Sequence, residues 1–171
     1  MIGKVPPEKL TELIIGNTGA HDDSVTMGPR YGEDASAIEL DSNTTLVIST
    51  DPISLAVQRI GTLGVYVASN DIAASGATPR WLTNSMFLPS DDDTLIKEIT
   101  TQLHTACKNI SMSIVGGHSE YLPTLDRPML CLTCLGTTDN FIPTGGANPQ
   151  DKIILTKGAG IEGTAILATD F

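Results

Sequence analysis

The feature that most constrains this chain is a pair of aspartates set into apolar surroundings between Leu46 and Pro79. Leu46-Val47-Ile48-Ser49-Thr50-Asp51-Pro52 is a β-branched run that stops at an acid and a proline. That is the pattern of a buried strand delivering a side chain, here Asp51, to its open end. The stretch from Gly61 to Ser75 is rich in Ala and Val, is closed by Gly76 and Pro79, and reads as a helix apolar on most sides. Such a helix is buried, and an ionised Asp71 within it is costly unless something satisfies it. Two answers fit the residues: a divalent cation shared with Asp51, or hydrogen bonds by which Asp71 caps a neighbouring loop.

A third acid converges on the pair. Gly32-Glu33-Asp34-Ala35-Ser36-Ala37-Ile38-Glu39-Leu40 enters a strand, and Asp41-Ser42-Asn43-Thr44 turns it into the Leu46 strand as a hairpin. The hairpin carries Asp34 towards Asp51. Three acids with no Lys or Arg close by in sequence repel one another, and a hard cation with oxygen ligands relieves this.

The whole chain is acidic, with 10 Lys and Arg against 20 Asp and Glu and a net charge of -10. This argues against a nucleic-acid surface or an anionic membrane surface as partner, and phosphate handling then needs a metal or backbone amides. The N-terminus has no apolar signal segment and no run approaches a membrane span, so a cytoplasmic protein is expected. The three cysteines, Cys107, Cys131 and Cys134, form no disulfide-like framework. Cys131 and Cys134 lie in a strand pattern, where residues three apart face opposite ways, so their expected role is packing.

Along the chain, Pro6 to Ile15 reads as a short amphipathic helix stopped at Gly16. Residues 18–31 are polar and glycine-punctuated, either a disordered strap or a flap that closes over a ligand. Arg80–Leu88 and Met129–Thr137 read as strands apolar on both faces, with a helix from Asp93 to Ile110 between them and His104 on its flank. Ser113 to Val115 reads as a short strand, followed by Gly116 and Gly117, with His118 and Glu120 as polar groups at its tip. Thr144 to Gln150 is the best linker, and the strand, glycine loop and helix after it begin a unit that cannot bury its own face. The expected division is therefore residues 1–143, an N-terminal domain, and 144–171, a linker with the start of a second domain. The expected class is α/β in the α+β sense: a mixed sheet of about four to five strands with helices on one face. The other face meets a partner subunit, with cover by a further domain as the alternative.

These segments together resemble the aminoimidazole ribonucleotide (AIR) synthetase superfamily, which includes carbamoyl dehydratases of hydrogenase maturation, thiamine-monophosphate kinase and selenophosphate synthetase. The residues that carry the resemblance are Gly28 to Ala35, Ser49-Thr50-Asp51-Pro52, Asn70 to Pro79, Val115 to Glu120 and Ile154 to Ala165. The resemblance implies a sheet that joins that of a second subunit in a barrel, with Mg-ATP (Mg2+ and ATP) bound near that homodimer interface. It implies an ATP-dependent synthetase or dehydratase that phosphorylates an amide-type oxygen of a small molecule or carbamoyl group. A hydrogenase-maturation dehydratase acting with a maturation partner protein is one alternative, and a non-catalytic nucleotide-binding dimerisation module is another. By position, Asp34, Asp51 and Asp71 match the metal ligands, and Asp51 and His118 the catalytic pair. Gly32, Glu33, Asn70, Gly116, Gly117 and Glu120 match the cofactor-binding positions. His118 stands where relatives often have Asp or Glu, a departure that a neutral imidazole able to bind phosphate or metal accommodates.

Overall fold

The structure, a computed structural model, describes residues 3–170. A short helix α1 (Pro7–Leu10) runs into a π-helical turn, Thr11–Ile15, so the expected N-terminal helix is present but buries no residue. Six strands follow: β1 (Val25–Met27), β2 (Ser36–Asp41), β3 (Thr44–Ile53), β4 (Thr78–Leu88), β5 (Ser113–Tyr121) and β6 (Met129–Thr138). Helices α2 (Ile60–Ala74), α3 (Asp93–Asn109) and α4 (Ile161–Asp170) complete the order. The strands form one mixed sheet in the order β1-β2-β3-β6-β4-β5, with β4 parallel to β5 and every other pair antiparallel.

The sheet has six strands where four to five were expected. The extra one, β1, lies inside the 18–31 segment and pairs with β2, so that segment carries ladder hydrogen bonds of its own. Likewise β5 does not stop at Val115 but runs through both glycines to Tyr121. The reason is a close approach: a Cβ on Gly117 would collide with the main-chain oxygen of Asn84 on β4, so only glycine lets the two strands pair there. The strand expected around Ile153 to Leu155 does not form. Those three residues are 99%, 83% and 69% exposed, because no neighbouring strand accepts their backbone groups.

Helices α2 and α3 cover one face. Gly64 lets α2 settle onto the sheet, since a Cβ there would stand 2.7 Å from a Leu132 methyl carbon. The core beneath contains Val47, Ile60, Ile72, Leu82, Leu130 and Leu132, none measurably exposed. Helix α3 begins as its acidic run predicts, with Asp92 accepting hydrogen bonds from the amides of Thr94 and Leu95. Helix α2 has no capping side chain of its own; instead Gln102 of α3 presents Oε1 to the Gly61 amide at 3.0 Å and donates Nε2–H to the Gln58 carbonyl at 2.8 Å. Ile166 of α4 rests against the core, and Gln58 donates to the Thr169 carbonyl at 2.8 Å.

The opposite sheet face carries Thr83, Ser85 and Phe87 from β4 and Met129, Cys131, Thr133 and Leu135 from β6, all half-buried. It is amphipathic rather than uniformly apolar. Cys134 is buried on the helix side and Cys131 faces the open side, as a strand requires.

Candidate active site

Spaced two residues apart on β3, Ser49, Asp51 and Ile53 all face the helices, and Ile53 packs beneath Gly64 of α2. Asp71 projects from the last turn of α2 onto the same spot. The Ser49 hydroxyl, 4% exposed, lies 2.9 Å from Asp71 Oδ2 and 3.0 Å from the Asp34 main-chain oxygen. Its single proton serves one acceptor at a time, which leaves the other oxygen short of a donor.

Asp51 is half-buried, and its Oδ2 is sealed from water without a hydrogen-bond partner. The Asp71 carboxyl is raised from 3.8 to about 6. Burial is the largest cause, Ser49 pulls it the other way, the facing Asp51 adds to the rise, and Lys4 lowers it slightly. The surroundings thus concentrate acceptor oxygens and lack donors. Two carboxylates, a hydroxyl and a main-chain carbonyl are the oxygen set that a hard divalent cation prefers, and such an ion would partner the sealed Asp51 oxygen. The residues fit Mg2+, which Asp51 and Asp71 would hold, with Ser49 and the Asp34 carbonyl alongside. Among the described residues no three His, Cys, Asp or Glu side chains gather tightly enough to form a ready-made metal cluster. Asp34 joins through its backbone, while its residue is exposed on the loop before β2.

The remaining positions divide between two places. Gly32 and Glu33 border a cavity of about 680 Å³ next to Asp34, which Lys4, Leu10, Arg30 and Tyr31 also line. Glu33 reaches over to the linker, where its Oε2 accepts from the Thr144 amide at 2.9 Å, and this bond holds its carboxyl below the usual range. Asn70 is exposed on α2 beside Asp71. Gly116, Gly117, His118 and Glu120 lie on the far edge strand β5, with the His118 ring 3.3 Å from Glu120. The register aligns His118 with Ser85, Cys131 and Pro52 on the open face. Asp51 faces the other way, three strand spacings of about 4.8 Å distant. Within one chain His118 and Asp51 do not meet.

Sequence reasoning missed two contributors. Ser49 is the hinge of the site, and its signal was its place two residues before Asp51 in a strand. Lys4 had no sequence signal, because the fold alone brings the N-terminal segment near Asp71.

Residues 32–138, which contain Gly32 to Asp34, Ser49, Asp51, Asn70, Asp71 and the β5 positions but not Lys4 or Arg30, match the family profile "AIR synthase related protein, N-terminal domain". The chain is similar to a selenide, water dikinase of Citrifermentans bemidjiense, 31% identical over 96% of this chain and 50% of that protein. It is also similar to the carbamoyl dehydratase HypE of Cupriavidus necator, 29% identical over 81% of this chain and 42% of that protein. Among solved structures, the one titled "AaThiL complexed with AMPPCP and TMP" shares the fold with a TM-score of 0.61 at 23% identity, over 68% of this chain and 40% of that one. The chain thus spans about half the length of the curated relatives it matches. No helix among the described residues is long and apolar enough to cross a membrane.

Proposed function

The chain belongs to the AIR synthase related family, and we propose that it is the cation- and nucleotide-binding half of an enzyme that uses Mg-ATP to phosphorylate an amide-type oxygen. The observation that carries this reading is the sealed, unpartnered Asp51 oxygen facing Asp71, in a cup of oxygen acceptors. When bound, Mg-ATP supplies the transferable phosphoryl group and an ion that screens its charge.

The chain's own residues do the positioning. Asp51 and Asp71 fix the cation against the sheet, and Ser49 holds the Asp71 carboxylate at a set angle. The cavity next to Asp34 receives the nucleotide, with Lys4 and Arg30 as its cations and Tyr31 as its aromatic wall. Gly32, Glu33 and Asn70 border that binding region. Below about pH 6 the Asp71 carboxyl holds a proton, which weakens its grip on a cation.

The amphipathic open face is our candidate for a homodimer interface, by which two sheets close into a barrel. His118 acts there, with Gly116, Gly117 and Glu120 on the cofactor, because within one chain it lies on the wrong face to meet Asp51. The acceptor in this reading is a small amide or a carbamoyl group presented by a maturation partner protein. Residues 1–143 form the binding domain, and 144–171 lead into a second one.

Calorimetry with Mg2+ and ATP tests the binding, and ADP release in the presence of a small amide or carbamoyl acceptor tests the turnover. Expected are Mg2+-dependent ATP binding, its loss in Asp51→Asn with the fold kept, and ADP release once acceptor is present. ATP binding indifferent to Mg2+ and to Asp51→Asn overturns the site; tight binding without turnover favours a nucleotide-sensing module.

A further inference from the structure

We infer that the cleft between the end of α3 and the start of β5 is a binding site for a small organic phosphate monoester, separate from the acid pair. The cleft has a volume of about 520 Å³, within the range of small-molecule sites, and Lys108, His104, Ser111 and Ser113 supply its polar wall. No Asp or Glu lines it. In a chain with 20 acids against 10 bases this is unusual: the three other cavities described that hold a Lys or Arg each hold Glu33 or Asp139 as well. Among the described residues, the side chains of Lys108, His104, Ser111 and Ser113 have no hydrogen-bond or ion-pair partner. Their donors are thus free for a ligand, and an ammonium, an imidazole N–H and two hydroxyls are the set that a phosphate dianion takes.

The backbone supports the same ligand. The Cys107 carbonyl accepts from the Met112 amide at 2.9 Å and the Lys108 carbonyl from the Ser111 amide at 3.2 Å. These bonds occupy two of the carbonyls through which a helix C-terminus repels an anion. In this closure Ser111 takes a φ of 57°, a left-handed conformation in which glycine is unstrained and serine is not. The chain nevertheless carries serine, whose hydroxyl then stands in the cleft wall. His104 and Lys108 are four residues apart on α3 and so are neighbours on its surface, within reach of one ligand group. Burial pushes the Cys107 thiol up to about 11, so this part of the wall stays neutral and does not oppose an anion. Met112 and the half-exposed Ile114 complete the wall with apolar surface, which suits the organic body of a monoester and offers inorganic phosphate nothing. The cleft shares no residue with the acid pair, and β5 lies on the far edge of the sheet from β3.

The test is calorimetry in EDTA with phenyl phosphate, inorganic phosphate and benzoate as probes, since without Mg2+ the acid pair repels an anion. Expected is one phenyl phosphate per chain, bound about tenfold more tightly than either other probe and less tightly as salt rises. Lys108→Ala should weaken binding about tenfold or more, and Ser111→Gly roughly three- to tenfold. Ser111→Gly should also keep or raise Tm, so its weaker binding is not a folding defect. Lys97→Ala, on the same helix but outside the cleft, should change nothing. Absence of phenyl phosphate binding at millimolar concentration, binding unchanged by Lys108→Ala, or an equal loss with Lys97→Ala would each overturn the site. Inorganic phosphate or benzoate binding as tightly as phenyl phosphate would overturn the ligand class. These readouts need neither Mg2+ nor turnover, so they stand or fall apart from the Mg-ATP reading.

Discussion

Replacing Asp71 by Asn isolates the electrostatic cost of the acid pair. Unfolded, the carboxyl titrates at its ordinary 3.8; folded, burial and Asp51 raise it to about 6. Below pH 3.8 both states are protonated and the group contributes nothing. Between pH 4 and 6 the unfolded chain has released its proton while the folded chain keeps it, so stability falls as pH rises. Above pH 6 the penalty is complete and constant. A difference of about 2.2 pH units corresponds to roughly 3 kcal/mol, and partial solvent screening of this half-exposed carboxyl halves it to about 1.5 kcal/mol. Asn keeps an oxygen for Ser49 and removes the charge. Urea unfolding in EDTA should therefore find Asp71→Asn more stable by about 1.5 kcal/mol at pH 7.5 and equal to wild type at pH 3.5, a rise in Tm of about 3–6 °C at the higher pH. Millimolar Mg2+ should stabilise wild type and not the variant. Loss of stability at pH 7.5, or the same offset at both pH values, would refute the reasoning, because Asp71 would then be a structural hydrogen-bonding residue.

Gln102→Ala removes the side chain that caps the Gly61 and Thr62 amides of α2, and should cost about 1–2 kcal/mol by urea denaturation, while Gln102→Glu keeps an acceptor and most of the stability. Gly117→Ala should uncouple β5 from β4, read as a loss of hydrogen-exchange protection confined to residues 113–121, since its Cβ meets the Asn84 backbone. Charges on the open face, Phe87→Glu or Leu135→Glu, should leave the fold intact and lower the mass found by light scattering; an unchanged mass, or a wild-type monomer at micromolar concentration, refutes the homodimer. Met86 and Leu132 are unsuitable for that test, because both face the helices at 5% and 0% exposure and a charge there breaks the core.

Much of the fold was legible locally. The β2–β3 hairpin, the α2 and α3 helices and the β4 and β6 strands follow from residue periodicity, capping acids and punctuation by Gly and Pro, which act within a few residues of one another. Strand β1 was not legible, since three residues in a polar loop become a strand only when β2 offers an edge. The same physics works in reverse at Ile153 to Leu155, where an apolar run with no edge to join stays irregular. Gly116 and Gly117 read in sequence as the end of a short strand; their purpose, to let β5 press against Asn84, exists only across two strands.

For the site, sequence alone placed Asp51 and Asp71 in apolar elements, because an acid inside such a run is conspicuous without any coordinates. Only the tertiary structure decided that they face one another, that Ser49 ties Asp71 to the Asp34 carbonyl, and that Lys4 stands near. It also placed His118 on the opposite face, three strands away. Sequence determines which side chains alternate along one strand. Which strands become neighbours, and therefore which carboxylates share a pocket, is set by long-range pairing and by the packing of α2 on the sheet.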